Sequence, residues 1–142
     1  MKSFLFVLVQ FACMGVLLLT GPLVARPLPL LLLQGMGLLL GGWAVWVMRR
    51  SRLSVLPDVA PGSVLIREGP YRWLRHPMYT AVLLVLLALV LAQPDRWRML
   101  VWGLLLTTLV WKLHYEEALL AARFEEYPAY RASTWRLVPW LY

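Results

Sequence analysis

Four apolar runs dictate what this chain can become. Phe4 to Thr20 contains no charged residue and extends past Gly21-Pro22 to Ala25, long enough to cross a hydrocarbon core of about 30 Å. Arg26-Pro27-Leu28-Pro29 forms a turn, because proline lacks an N–H and biases its predecessor away from helix, and Leu30 to Met48 follows as a second run. Met78 to Ala92 is a third run, Gln93-Pro94-Asp95-Arg96 a turn, and Trp97 to Leu113 a fourth. At about 1.5 Å per residue the third run covers only about 22 Å, so it must borrow length from its flanks or the bilayer must thin. With 61% hydrophobic and 15% charged residues and a mean hydropathy of +0.69, the chain is too apolar for a soluble domain of 142 residues. These features predict an all-α integral membrane protein of about four transmembrane helices, with spans near 4–25, 29–48, 76–92 and 97–113. A connector over 49–75 and a C-terminal segment over 114–142 complete a single membrane domain, 1–142.

Leu23-Val24-Ala25 places a bulky leucine where a cleavage site needs a small residue, and a second span follows at once, so the first run reads as mature protein. Gly37 and Gly41 make a small-xxx-small pair that lets a neighbouring helix of the same chain approach closely. Trp43 and Trp46 sit where interfacial anchors sit. Cys13 lies inside the first run and, as the single cysteine, has no intrachain partner.

The formal charge of +7 does not point to nucleic acid, because its basic residues lie between apolar spans rather than on a basic domain. They sort by side. Lys2, Arg49, Arg50, Arg52, Arg67, Arg72, Arg75, Lys112, Arg123, Arg131 and Arg136 fall on one side, against Arg26, Arg96 and Arg98 on the other. This asymmetry predicts cytoplasmic N and C termini in a cell inner membrane.

The stretch Gly69-Pro70-Tyr71-Arg72-Trp73-Leu74-Arg75-His76-Pro77-Met78-Tyr79 therefore shares the cytoplasmic face with the C-terminal segment. Proline suits a first helical position, so the third span should start at Pro77, with Arg75 and His76 on the approach and the N–H groups of Met78 and Tyr79 open to an anionic ligand group. Leu113, Glu117, Leu120, Phe124 and Tyr127 recur every three or four residues, which predicts that the fourth helix continues beyond the membrane until Pro128 ends or kinks it. Arg131 to Tyr142 reads as an irregular interfacial tail. Glu116 and Glu117, adjacent on that helix, could pair with Arg75 and His76 if it packs under the loop, or Glu116 could pair with Lys112 on a solvated turn. His76, His114 and Glu117 are conceivable metal ligands, but no repeated ligand pattern supports a metal and none is assigned.

Gly69-Pro70-Tyr71, Arg75-His76-Pro77-Met78-Tyr79, a helical hairpin, Glu116-Glu117, Leu120, Phe124, Glu125-Glu126-Tyr127, Tyr130 and Pro139 together resemble the isoprenylcysteine carboxyl methyltransferase and phospholipid methyltransferase family, over residues 65–139. The resemblance implies a membrane methyltransferase that binds S-adenosylmethionine in a pocket on the cytoplasmic face. Tyr71, His76, Pro77, Tyr79, Leu120, Tyr130 and Arg131 would line that pocket, with Arg75, Glu116 and Glu117 as catalytic residues. Carboxylates can hold ribose hydroxyls or an amino group, and aromatic faces attract a sulfonium. The acceptor would be lipidic or membrane-associated: a carboxylate would be oriented by Arg75, and an amine would lose its proton to Glu116 or Glu117. Thr80-Ala81 stands where the family usually has a glycine, a glycine between Phe124 and Glu125 is missing, and Ser133 replaces a common basic residue. An NADPH-dependent membrane reductase of the sterol-reductase type, which shares a similar Arg-His-Pro-x-Tyr hairpin, and a non-catalytic scaffold of the same fold are the alternatives. Neither the acceptor nor the oligomeric state is legible in the residues.

Overall fold

The computed structural model describes residues 2–49 and 65–142, so most of the connector expected over 49–75 lies outside the described residues. The described residues are helical, without strands: α1 (Lys2–Leu19), α2 (Leu28–Met48), a 3-10 turn (Gly69–Arg72), α3 (Pro77–Ala92), α4 (Arg96–Arg123) and α5 (Tyr127–Ala132). Among them only α2 is both long and apolar enough to cross a membrane by itself; Phe4–Leu19 and α3 are shorter apolar helices.

The expected span 4–25 is corrected: α1 stops at Leu19. Gly21-Pro22 cannot continue the hydrogen-bond ladder, and the segment beyond is fastened to α2 by one side chain. Gln34 accepts from the Ala25 N–H at 2.9 Å and donates to the Leu23 carbonyl at 2.8 Å, giving buried backbone groups partners that a helix would otherwise have supplied. The second and third expected spans match α2 and α3 within a residue, and α3 does begin at Pro77. Asp95 caps α4 by accepting from the Trp97 N–H at 3.2 Å.

The fourth helix continues past residue 113 as its periodicity predicts, and α4 runs unbroken to Arg123. It ends where Phe124 turns extended (φ −117, ψ 118), four residues before Pro128, and Pro128 instead sits in the first turn of α5.

Helices α2 and α3 pack at the glycine pair. A Cβ added to Gly37 would lie 2.8 Å from Val85 Cγ2 and 3.1 Å from the Ala81 carbonyl, and one added to Gly41 would lie 3.2 Å from Ala81 Cβ. The methyl of Ala81, standing where the family usually has glycine, is thus accommodated by a glycine on the facing helix. Helix α1 packs on α4, and Cys13, Leu17, Leu86, Leu89, Leu105 and Leu109 form the common core. The outward faces carry Phe4, Leu8, Phe11, Leu32, Leu39, Leu100, Leu104 and Trp111, all exposed, a surface that lipid covers in a membrane protein.

Candidate functional site

Two glycine-dependent features place the motif loop. Gly69 has φ +56, a left-handed conformation that costs any side-chain-bearing residue, and a Cβ there would lie 2.8 Å from Val47 Cγ2. Pro70 follows in the first turn of the 3-10 segment, which buries Tyr71 against Ala44 and Val47 of α2. The chain then meets the C-terminal tail. The Trp135 N–H donates to the Trp73 carbonyl (2.9 Å), the Arg75 N–H to the Trp135 carbonyl (2.7 Å) and the His76 N–H to the Arg136 carbonyl (3.1 Å), so residues 73–76 and 135–136 form a short parallel pairing. Thr80 Oγ1 adds a bond to the Leu137 carbonyl at 2.7 Å. The tail expected to be irregular is one wall of the site, because a loop flanked by prolines has donors that no helix can satisfy.

Around this pairing the charged side chains converge. Arg75 Nε donates to Glu117 Oε1 at 2.7 Å, while its Nη1 donates to the carbonyls of Arg131 (3.0 Å) and Thr134 and to Thr134 Oγ1 (3.2 Å). Arg136 Nε donates to Glu117 Oε2 at 3.1 Å, so both oxygens of Glu117 are held by guanidinium groups. The Glu117 and Arg75 side chains are only 5% and 7% exposed. Burial pushes the Glu117 carboxyl up, but the close approach of the His76 ring and the hydrogen bond and charge of Arg75 outweigh it and hold the group down at about 2.

Glu116 lives differently. Its Oε1 accepts from Tyr79 Oη at 2.6 Å, and its Oε2 is 3.6 Å from His76 Nδ1, too far for a good hydrogen bond. The His76 ring stacks on Tyr79 with centroids 5.4 Å apart and planes 2° apart, and its Nε2 lies 3.5 Å from Glu117 Oε1 without a well-formed bond. Nearby, Tyr130 Oη donates to the Tyr71 carbonyl at 2.7 Å, and Tyr127 packs edge-on against Tyr130. Three buried polar atoms here lack a partner: Tyr71 Oη, His76 Nε2 and Tyr127 Oη. Burial pushes the phenols of Tyr71, Tyr127 and Tyr130 up, so they stay protonated donors.

Of the residues singled out in the sequence, the structure brings together Arg75, His76, Tyr79, Glu116 and Glu117 directly, with Tyr71 and Tyr130 linked beside them. Pro77 contributes the helix start. Leu120 is half-buried and its carbonyl accepts from Phe124, while Arg131 offers Arg75 its carbonyl and leaves its side chain exposed. The Tyr79 N–H is not open to a ligand: it donates to the His76 carbonyl at 3.1 Å. His114 turns to the Val110 carbonyl (2.6 Å) and Tyr142 Oη (3.4 Å) rather than joining His76. Arg136, Thr134 and the orphaned hydroxyl of Tyr127 escaped sequence reasoning as site groups. Only the charge of Arg136 in an aromatic tail hinted at its place.

The family model for phospholipid methyltransferase matches residues 28–127, well over half of the chain. The chain belongs to this family. The matched region of this phospholipid methyltransferase family member runs from the start of α2 to the start of α5, and so contains the motif loop, the α3–α4 hairpin and both glutamates. It leaves out α1 and the tail that supplies Thr134 and Arg136. Membership agrees with the membrane association indicated by α2. No curated protein and no solved structure matches the chain.

Proposed function

We propose that this family member is an S-adenosylmethionine-dependent methyltransferase whose acceptor is an amine on a membrane lipid. One observation carries the reading: the cluster at the start of α3 has more polar capacity than the protein uses, with Glu116 Oε2 weakly engaged and Tyr71 Oη, His76 Nε2 and Tyr127 Oη buried without partners. Buried polar groups are normally paired, so three orphaned atoms around a weakly engaged carboxylate fit a polar, cationic ligand. S-adenosylmethionine, when bound, supplies a methyl carbon on a sulfonium, and its transfer leaves a neutral thioether. His76, Tyr71 and Tyr127 would hold it, with the ring of Tyr130 favouring its positive charge.

The choice between acceptors follows from the arginines. Arg75 is engaged by Glu117, Thr134 and the Arg131 carbonyl, and Arg136 by Glu117, so a carboxylate acceptor would have to compete with Glu117 for both guanidiniums. Glu116 is the group suited to the opposite case. It attracts an amine and takes the proton that nitrogen sheds as the N–CH3 bond forms and the S–CH3 bond breaks. Glu117 shapes the site by holding Arg75 and Arg136 in place. No covalent intermediate is needed, and positioning supplies most of the rate.

A groove of about 290 Å³ lies beside the site, lined by Leu40 and Trp43 of α2, Pro70, Trp73 and Leu74 of the loop, and Trp135, Pro139 and Trp140 of the tail. Its nearly apolar wall beside the exposed face of α2 suits the hydrocarbon part of a lipid acceptor. In this reading α1 to α4 all cross the bilayer as one membrane domain, with thinning beside the two short helices and both termini cytoplasmic in a cell inner membrane. Lys112 and Arg98 are buried rather than flanking, yet setting both aside leaves ten basic residues against two.

The test is thermal unfolding of the purified protein in detergent with S-adenosylhomocysteine or NADPH, followed by transfer of labelled methyl groups from S-adenosylmethionine into a lipid extract. Stabilisation by S-adenosylhomocysteine and label in an amino-lipid are the expected results. Stabilisation by NADPH alone would replace this reading with the reductase, and no response to either with the scaffold.

A further inference from the structure

Lys112 is buried, 1% exposed, in an apolar stretch of α4 one helical turn below Glu116. An ammonium in such a place is costly, and in a membrane protein a residue of this kind usually persists for what it does. Its surroundings say what that is. Nζ donates to Gln10 Oε1 at 2.9 Å, and the same Nζ lies 5.0 Å from the centroid of the Tyr79 ring. Tyr79 in turn donates its hydroxyl to Glu116 and carries the stacked His76 ring. A cation beside an aromatic ring fixes that ring by electrostatic attraction, more strongly where water is excluded.

Resting on the methyl-transfer reading above, we propose that Lys112, held by Gln10, is a positioning residue for methyl transfer: it fixes the Tyr79 ring, and Tyr79 thereby holds Glu116 in the orientation in which it faces the acceptor. The consequence is that α1, outside the matched family region, takes part in the reaction through Gln10. Neither Lys112 nor Gln10 touches the reacting atoms. Both act at one remove, which separates their role from that of Glu116.

A merely structural lysine and a positioning lysine behave in opposite ways. Removing a buried charge relieves a desolvation cost while leaving the Gln10 amide oxygen without its donor, so the two effects oppose and Lys112→Met is expected to lower the thermal midpoint in detergent only slightly, with the chain still folded at the assay temperature. Its kcat is expected to fall by about tenfold, the scale of a desolvated cation–π contact, with S-adenosylhomocysteine affinity within about twofold of wild type. Lys112→Arg, which keeps the charge, restores most of kcat. In a Tyr79→Phe background, where the hydroxyl bond to Glu116 is already gone, Lys112→Met adds no further loss, and this non-additivity is the signature of action through Tyr79. Additive losses, a wild-type kcat in Lys112→Met, or a fall in kcat that disappears when rates are compared at matched folded fraction would each overturn the proposal. If the wild-type chain transfers no methyl group, both the function and this role fall; if it does and Lys112→Met matches it, only the role falls.

Discussion

Two arginines are buried at opposite ends of the helical bundle, and they are held in different ways. Arg98, 1% exposed, lies where a Cβ on Gly21 would fall and donates to the carbonyls of Gln93 (3.0 Å) and Leu17 (3.4 Å). Among the described residues no carboxylate is its partner and its Nε is left without an acceptor, and it fastens the end of α1 to the α3–α4 turn. Arg75 donates to two carbonyls as well, but its Nε is paired with Glu117, which Arg136 also holds. A larger groove, about 360 Å³, lies at the Arg98 end between Pro22, Val24, Arg26, Ala92 and Gln93, yet none of its lining groups forms a titratable cluster. The contrast teaches that neither a buried charge nor the size of a hollow marks the site. Coupled carboxylates beside unsatisfied polar atoms do.

The largest effect that separates the two ends is Glu117→Ala. It leaves Arg75 buried and Arg136 half-buried without their carboxylate, which costs about 3 kcal/mol, and chemical unfolding in detergent measures it. The same group gives a pH signature. Because its carboxyl is held at about 2 in the folded chain against an ordinary 4.5, its contribution is complete above that ordinary value and is lost as pH falls towards 2. Glu117→Gln should therefore flatten the acid limb of the stability curve between about pH 5 and 2. An unchanged limb would mean the ion pairs are not formed in solution.

Next comes Glu116→Gln, expected to lower kcat by at least about 10²-fold while changing stability little, since the amide still accepts from Tyr79. Comparable loss in Glu117→Gln at matched folded fraction would reassign the proton acceptor. Gly37→Ala tests the joint between the two ends. The added methyl meets Val85 Cγ2 and the Ala81 carbonyl, and about 2 kcal/mol of overpacking is expected in the same unfolding experiment. A neutral result would show that α2 and α3 are not in this register. The smallest effect is expected from Arg98→Met: about 1 kcal/mol of stability, from carbonyls left without a donor, and methyl transfer within about twofold of wild type. A large loss of turnover there would erase the distinction between the ends.

Much of the fold was legible because its signals are local. Pro77 starts α3, the turn over Gln93-Pro94-Asp95-Arg96 separates α3 from α4, and the spacing of Gly37 and Gly41 identified the packing face of α2 before a partner was known. Helix ends were less legible. Apolar residues continue to Ala25, but Gln34, reaching back 9 residues, decides that the chain leaves the helix at Leu19. Likewise Phe124, and not Pro128, ends α4.

What the residues determine by themselves is the set of apolar helices, the loop that introduces α3, and the presence of a carboxylate pair one hairpin away, because period, proline chemistry and capping act over a few positions. Tertiary structure decides which carboxylate is clamped between arginines. Glu117 is bound by groups 42 residues before it and 19 after it, Glu116 is met by Tyr79, 37 residues before it, and Lys112 finds Gln10 across 102 residues. Those choices depend on which helix faces approach each other when backbone donors and buried charges are satisfied together, a condition on the whole chain that no local pattern records.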